Sequence, residues 1–526
     1  MYLNPGSGLF EEALATGFYI DKTMLIEEAN RVAQTRRKFM CVSRPRRFGK
    51  SMALEMLAAY FSKGADGKAF SGLKISKSES FERNLGKFNV LMLDLNSFYD
   101  NCGNDKNKMF DIMFDIVRNE FEKQFPDMAF KGNTIASLLR DVFSNKNERF
   151  VVLIDEYDVM VRKNIRRSLF DKYLEFLNGL FKNLDITQTI ALAYLTGILP
   201  IVRENFQSKL NNFTEYTMLS LKNLLAFTEF TADEVEAACN SRGIDMEECK
   251  RWYDGYRVEG IELYSPQSVC ELVMSGKFEC FWSSSSSFEA ISSYISLDLD
   301  GLEEDVKSLI SGESIEVETS FYENKIDRLS FRSKNDVFTY CIHLGYLSYD
   351  SKTKTARIPN YEIRQQWITA VQSIGKFSKT REIINASRQL LINVCKCESE
   401  LAAEYLEIAH REVSSNLSYD NEQSLQNAIM LAFIAARDKY TIIPEFPSGN
   451  GFADVTLIPY KPKGKDPAII IELRLDSPTQ TGLDQIRNRI YPASLEHCKG
   501  NMILVAISYD RKTKKHAAKV ERLECP

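Results

Sequence analysis

Histidine is scarce in this sequence, with four in 526 residues. The eleven cysteines are scattered, and the one close pair, Cys395 and Cys397, is separated by a single residue rather than two. That spacing, with so few histidines, excludes a zinc cluster. An odd number of dispersed thiols is the pattern of a reducing cytosol, where most act as small apolar residues, so a cytoplasmic protein is expected. No basic start followed by an apolar run opens "MYLNPGSGLFEEALATG", and no signal peptide is expected. No stretch approaches the roughly 18 apolar residues of a membrane helix; "IMLAFIAA", among the longest apolar runs, is a core helix by length. One-sided charge is missing too. With 67 basic and 72 acidic residues the net charge is -5, so nucleic-acid binding would have to come from local patches. No internal repeat is found.

What is present is the material of several cores. The composition is 44% hydrophobic and 26% charged, that of a folded rather than a disordered chain, and the length predicts two to four domains. "KFMCV" near residues 38–42, "FNVLMLDLNSF" (88–98), "RFVVLIDEYD" (149–158) and "TIALAYLTGILP" read as buried strands, with helices after residue 50 and around 108–124. Apolar strands alternating with helices predict an α/β fold with a parallel sheet covered on both faces. After about residue 220 the character changes. "TADEVEAACNSRG" is a helix with capping-box spacing between Thr231 and Glu234 and a glycine stop. "NDVFTYCIHLGYLSYDSKTKTARIPNYEI" reads as helix, strand, turn, strand, a winged-helix-like order. "SSSSSFEAISSY" is a surface connection or a helix start. Two long helical stretches follow, "REIINASRQLLINVCK" and "ELAAEYLEIAHREV". The last portion reads as a compact α/β domain: the helix "SLQNAIMLAFIAARDKY", the strands "FADVTLIPY" and "AIIIELRLD", the helix "TGLDQIRNRIYPAS" and a final buried strand "GNMILVAISYD". The domains are set at 1–220, 221–410 and 411–526.

The stretch "SRPRRFGKS" (Ser43–Ser51) lies between the first strand and its helix, where a phosphate-binding (Walker A) loop would lie. Such a loop aims successive backbone N–H groups and a helix N-terminus at one anion, adds a lysine on the outer phosphates and uses a hydroxyl on magnesium. Arg47, Phe48, Gly49, Lys50 and Ser51 supply the end of the loop, but Arg44 stands where the motif has its first glycine. Pro45 restricts Arg44 to extended conformations, so the loop should enter extended, with that arginine facing away from the phosphates or capping them from the side. Asp155 closes an apolar strand about 100 residues on, at the Walker B position, and is the natural partner of magnesium. Glu156 beside it would polarise an attacking water. The competing reading is a basic turn with an ordinary exposed Asp-Glu pair, which leaves unexplained why each feature sits at the correct end of its strand.

These stretches, with "GFYIDKTMLIEEA", "LTGILPIVRENF", "WYDGYRVEGIELYSPQSV", "GYLS…IPNYEI" and "GFADVTLIPY…AIIIELRLD", span nearly the whole chain in order. In them the sequence resembles the AAA-ATPase-like proteins fused to a PD-(D/E)XK nuclease-like domain, common in bacteria. The resemblance implies an AAA-like ATPase domain, a helical lid with a winged-helix-like connector, and a nuclease-like domain. It makes "RPRRFGKS" the family's usual loop and implies ATP and Mg2+ as ligands, with nucleotide roles for Lys50 and Ser51 and magnesium and water roles for Asp155 and Glu156. It suggests Thr196 as a polar sensor near the terminal phosphate, where a strand-end hydroxyl satisfying backbone is the alternative. Arg203 reads as a phosphate contact or a surface arginine, and Trp252, Tyr253 and Tyr256 of "WYDGYR" as a packing anchor or a binding platform.

PD-(D/E)XK chemistry uses two carboxylates on adjacent strands to hold Mg2+, with a lysine two positions after the second acid. Asp454 and Glu472 match the acids, the carbonyl of Leu473 would complete the ligand set, Gln485 resembles the glutamine near such sites, and Glu422 is a further candidate acid. Arg474 stands where the family has lysine. Arginine keeps the charge and binds phosphate bidentately but does not lose its proton. The domain therefore reads either as a metal-dependent nuclease acting on DNA or RNA, or as a nucleotide-gated scaffold with an inactive nuclease fold. The basic tail "YDRKTKKHAAKVER" reads as a solvated segment or as a track for a phosphate backbone. The oligomeric state is left open.

Overall fold

The computed structural model describes residues 1–163, 165–200, 212–220, 227–284, 287–297, 299–319, 324–325, 328–329, 331–413, 422–448, 451–461, 464–487, 495, 498 and 500–523. Its residues gather into two compact units. The first comprises Met1–Ser285, Asp298–Leu302 and Ser314–Arg364; the second comprises Ser286–Leu297, Glu303–Glu313 and Gln365–Pro526.

The first unit is built on a five-stranded parallel sheet: β1 (Phe39–Ser43), β2 (Asn89–Asp94), β3 (Phe150–Asp155), β4 (Ile190–Gly197) and β5 (Thr214–Tyr216), in the order β2-β3-β4-β1-β5. Every residue of β1, β3 and β4 is buried, which is why these strands read as continuous apolar runs instead of alternating. The helix Lys50–Phe61 lays Leu54, Leu57 and Phe61 into the same core as Val42, Val90, Leu153 and Tyr194. Strand ends coincide: Ser43 pairs with Gly197 and Asp94 with Asp155. In an open α/β sheet such carboxyl ends form the crevice where ligands bind.

Beyond the sheet lie shorter elements. β6 (Phe230–Thr231), β7 (Tyr256–Val258) and β8 (Ile261–Tyr264) form an antiparallel sheet in the order β6-β8-β7. The helix Ala232–Arg242 has the expected Thr231/Glu234 capping box and ends at Gly243, φ 65°. β9 (Ile315–Glu316) precedes a hairpin of β10 (Asn324–Lys325) and β11 (Arg328–Leu329). The helix Lys334–Leu344, capped by Ser333 and Asp336, is followed by β12 (Ser348–Asp350) and β13 (Thr355–Arg357), the helix–strand–turn–strand order read from the sequence; β9 adds a third strand to that pair.

The second unit carries a mixed sheet of β14 (Tyr440–Ser448), β15 (Gly451–Pro459), β16 (Ala468–Leu475), β17 (Met502–Asp510) and β18 (Lys515–Leu523) in sequential order. β16 and β17 are parallel and the other pairs antiparallel. Alternation along β16 sorts its side chains. Ile469, Ile471 and Leu473 join the core shared with helices Ser378–Cys395, Ser399–Val413 and Glu422–Ala432, while Ala468 and Ile470 join Leu483 and Ile486 of helix Thr479–Arg487. Two strands differ from expectation. β14 was hidden by Pro444 and Pro447, tolerated because it is an edge strand. The basic tail, exposed along most of its length, includes an edge strand: residues 515–523 form β18, so "GNMILVAISYD" is not the last strand.

Candidate functional sites

The phosphate loop connects β1 to the helix Lys50–Phe61. After Arg44 and Pro45 it turns twice through the left-handed region, at Arg47 (φ 70°) and Gly49 (φ 72°). The unusual backbone angles thus come late in the loop. Only glycine fits at 49, since a Cβ there would meet the carbonyl oxygen of Thr228 at 2.8 Å. Arg44 faces away from the loop's concave side. It is fully buried, ion-paired with the equally buried Glu229, and donates to the carbonyls of Ser43 and Tyr216 at 2.9 and 3.0 Å. Removing one partner of such a pair strands the other charge, at a cost of about 3–5 kcal/mol. Phe48 is likewise fully buried, its ring edge-on to Tyr256 at 5.2 Å, and Tyr256 donates to the carbonyl of Gly345 at 2.8 Å. Phe48 supports the loop and does not line the cleft. A Cβ on Gly345 would stand 2.8 Å from Pro45, and one on Gly255 would stand 1.9 Å from the carbonyl oxygen of Pro359. "WYDGYR" is thus a packing anchor at Tyr256, while Arg47 donates to the carbonyl of Phe281.

The other expected residues converge. Ser51 donates to Asp155 Oδ2 at 2.6 Å, and Thr196, fully buried at the end of β4, donates to the other oxygen of the same carboxylate at 2.5 Å. The Thr196 hydroxyl therefore orients the acid instead of satisfying backbone. Lys50 donates to the carbonyl of Pro45 at 2.8 Å, and burial pushes its amine down to about 8 against the pull of Asp155 and Asp158. Glu156 has a left-handed backbone, φ 51°, a strained setting for a non-glycine residue. Its carboxylate is ion-paired with Arg162, whose Nε donates to Asp158 Oδ2 at 2.9 Å. Asp158 also accepts the N–H groups of Ile198 and Leu199, and burial pushes it up to about 6. Sequence reading missed Arg162. Its signal was the spacing of Asp158 and Arg162, four apart on one helical face. Arg203 lies outside the described residues.

Lys50, Ser51, Asp155, Glu156 and Arg162 line a cleft of about 700 Å³, within the range of small-molecule sites. With Lys22, Arg46 and Asp94 they make it polar, while Phe18, Ile20, Met52, Met56 and Phe230 add apolar surface. Charged and apolar side chains lining one cleft suit a ligand with both a phosphate and an apolar ring. The donor set fits magnesium: a hydroxyl and a carboxylate already meet, so Ser51 and Asp155 would hold the ion.

In the second unit, Val455 pairs with Ile471, which sets Asp454 beside Glu472. Asp454 Oδ2 accepts the N–H of Leu473 at 2.6 Å, and Gln426 donates to the Asp454 carbonyl at 2.6 Å. Glu472 is 2% exposed. Arg474 reaches back along its own strand, donating to Glu472 Oε1 at 2.9 Å and to the carbonyl of Leu473 at 2.6 Å. Gln485 is exposed on the helix Thr479–Arg487. Glu422 opens the helix Glu422–Ala432, and its side chain lies outside the described residues. Among the described residues no three His, Cys, Asp or Glu side chains form a group able to hold a metal ion, and no helix is long and apolar enough to cross a membrane.

Residues 9–207 match the family described as predicted AAA-ATPase, and residues 420–519 match the PD-(D/E)XK nuclease superfamily. An uncharacterized protein in the vnfD 5' region of Azotobacter chroococcum mcd 1 is 26% identical over 272 residues; the match covers 50% of this chain and spans half the length of that relative. Among solved structures, Cdc6p of Pyrobaculum aerophilum is similar at 10% identity and TM-score 0.25, and the ORC2 protein of Aeropyrum pernix, in ADPNP-ADP complexes, at 13% and 0.28. Each alignment covers 70% of this chain and 95% of the other.

Proposed function

We propose, for a chain that joins an AAA-ATPase-like segment to a PD-(D/E)XK nuclease-like one, that the first unit binds ATP with Mg2+ and hydrolyses it. The observation that carries this reading is the shared carboxylate of Asp155, which gathers the hydroxyl of the phosphate loop and the hydroxyl at the end of β4. Bound magnesium would neutralise phosphate charge. The chain's own groups do the rest. The Gly49 turn and the first N–H groups of the following helix face the phosphates, and Lys50 leaves the Pro45 carbonyl to meet the outer ones. Thr196 fixes the rotamer of Asp155. Glu156 takes the proton of the attacking water as that oxygen bonds to the terminal phosphorus and ADP leaves.

Glu156 begins this sequence held by Arg162. A carboxylate in an ion pair is a poor base, so the pair must open. The terminal phosphate offers Arg162 a competing anion in the same cleft, and its arrival releases Glu156 beside the water it activates. ATP turnover by the full chain tests the reading: Lys50→Ala and Glu156→Gln should each lower kcat at least a hundredfold. Equal turnover in wild type and both variants would sink it.

For the nuclease-like domain, the contact of Arg474 with Glu472 favours a module that grips DNA or RNA over one that cuts it. Labelled DNA and RNA, incubated with the protein with and without ATP and Mg2+ or Mn2+, should be retained uncut. Mg2+-dependent cleavage abolished by Asp454→Ala would replace this reading with a metal-dependent nuclease.

A further inference from the structure

The ligand set expected of the nuclease-like fold is three oxygens: one from Asp454, one from Glu472 and the carbonyl of Leu473. The guanidinium of Arg474 bonds two of them, Glu472 Oε1 at 2.9 Å and the Leu473 carbonyl at 2.6 Å. A magnesium ion bound by the same two oxygens would stand about 2.0–2.1 Å from each, too close to leave room for the guanidinium. Both cations answer one need. Glu472 is almost completely buried, and a buried carboxylate without a counter-charge is costly.

The helix beside the pair packs closely on the sheet. Gly482 lies inside the helix Thr479–Arg487, where glycine costs about 1 kcal/mol relative to alanine. A Cβ there would press on Ala506 Cβ at 3.1 Å and touch Arg474 Cγ and Glu472 Cβ at 3.8 Å. The tight contact is the one with Ala506 of β17, so the bare backbone lets the helix pack closely on the sheet beside Glu472 and Arg474. A lysine at 474 would offer one compact ammonium instead of a planar fork whose separate nitrogens reach the carboxylate and the carbonyl.

We propose that Arg474 is the resident cation of this site: its guanidinium stands in for a divalent metal, and the Asp454–Glu472 pair takes no Mg2+ or Mn2+ while it is there. The inference uses the nuclease-like fold but not the ATPase reading, and it stands if no ATP is turned over.

The test is Mn2+ titration of the full chain without nucleotide, followed by the electron paramagnetic resonance of the free ion. Wild type and Asp454→Asn should bind Mn2+ identically, since any ion held near Ser51 and Asp155 is indifferent to residue 454. Arg474→Lys, which keeps the charge, should bind Mn2+ at least tenfold more tightly than wild type, and the added Asp454→Asn change should erase that gain. Circular dichroism verifies the fold of each variant. Mn2+ binding by wild type that weakens tenfold in Asp454→Asn would overturn the proposal. So would a folded Arg474→Lys with no gain. The first comparison needs no change at Arg474, so the test survives a variant that fails to fold.

Discussion

Lys50 is buried, and its amine is depressed to about 8. Near that pH a sizeable fraction of the free protein carries a neutral Lys50, whereas a phosphate beside it favours the ammonium. The sign follows: binding a nucleotide raises the depressed pKa and takes up a proton, so affinity falls as pH rises through about 8. Calorimetric titration with ADP at pH 8, in buffers of different ionisation enthalpy, should show uptake of a fraction of a proton, absent in Lys50→Met. At this scale the sequence was half legible. Lys50, Ser51, Asp155 and Glu156 were readable because a strand end or helix start fixes where each one points. The partners were not. Glu229 lies 185 positions from Arg44, and no local pattern predicts that a loop arginine will be buried against it. Arg162 carried a visible helical spacing to Asp158, but its hold on Glu156 depends on the left-handed turn at that residue, which β-strand periodicity conceals.

The elements that hold the phosphate loop from behind come from far along the chain. Tyr256 packs on Phe48 and hydrogen-bonds the carbonyl that ends the helix Lys334–Leu344. The two interactions can be separated. Tyr256→Phe removes only the hydrogen bond and should cost about 1 kcal/mol, with nucleotide affinity near wild type. Tyr256→Ala also removes the ring beneath Phe48 and should cost about 3–5 kcal/mol, with affinity lowered at least tenfold. Urea denaturation and ADP titration measure the two effects; equal loss in both variants would show that the ring does not support the loop. The central strands were legible because burial on both faces leaves an apolar run that sequence alone reveals. The edge strands β14 and β18 were not, since an edge tolerates proline or charge, the two signals that mark a non-strand.

The chain passes between its two compact units more than once, because residues 286–297 and 303–313 join the C-terminal residues while 314–364 return to the first unit. Each unit has its own core, and only the first lines the cleft. Differential scanning calorimetry should therefore resolve two transitions. ADP at 100 times its Kd should stabilise one of them by about 2.7 kcal/mol and leave the other unmoved, and Lys50→Ala should abolish the shift. A uniform shift of both would mean that the units melt together. The parts of the loop's surroundings also set an order in time. The parallel sheet is complete once residue 216 has been made, yet the loop at residues 44–49 still lacks Glu229, Tyr256 and Gly345. At ~5–20 residues per second, the ribosome needs on the order of ten seconds to supply the last of them. The strands of the sheet are therefore all made before the side chains that brace the loop between β1 and its helix, so the loop is the last part of that sheet's edge to find its packing partners.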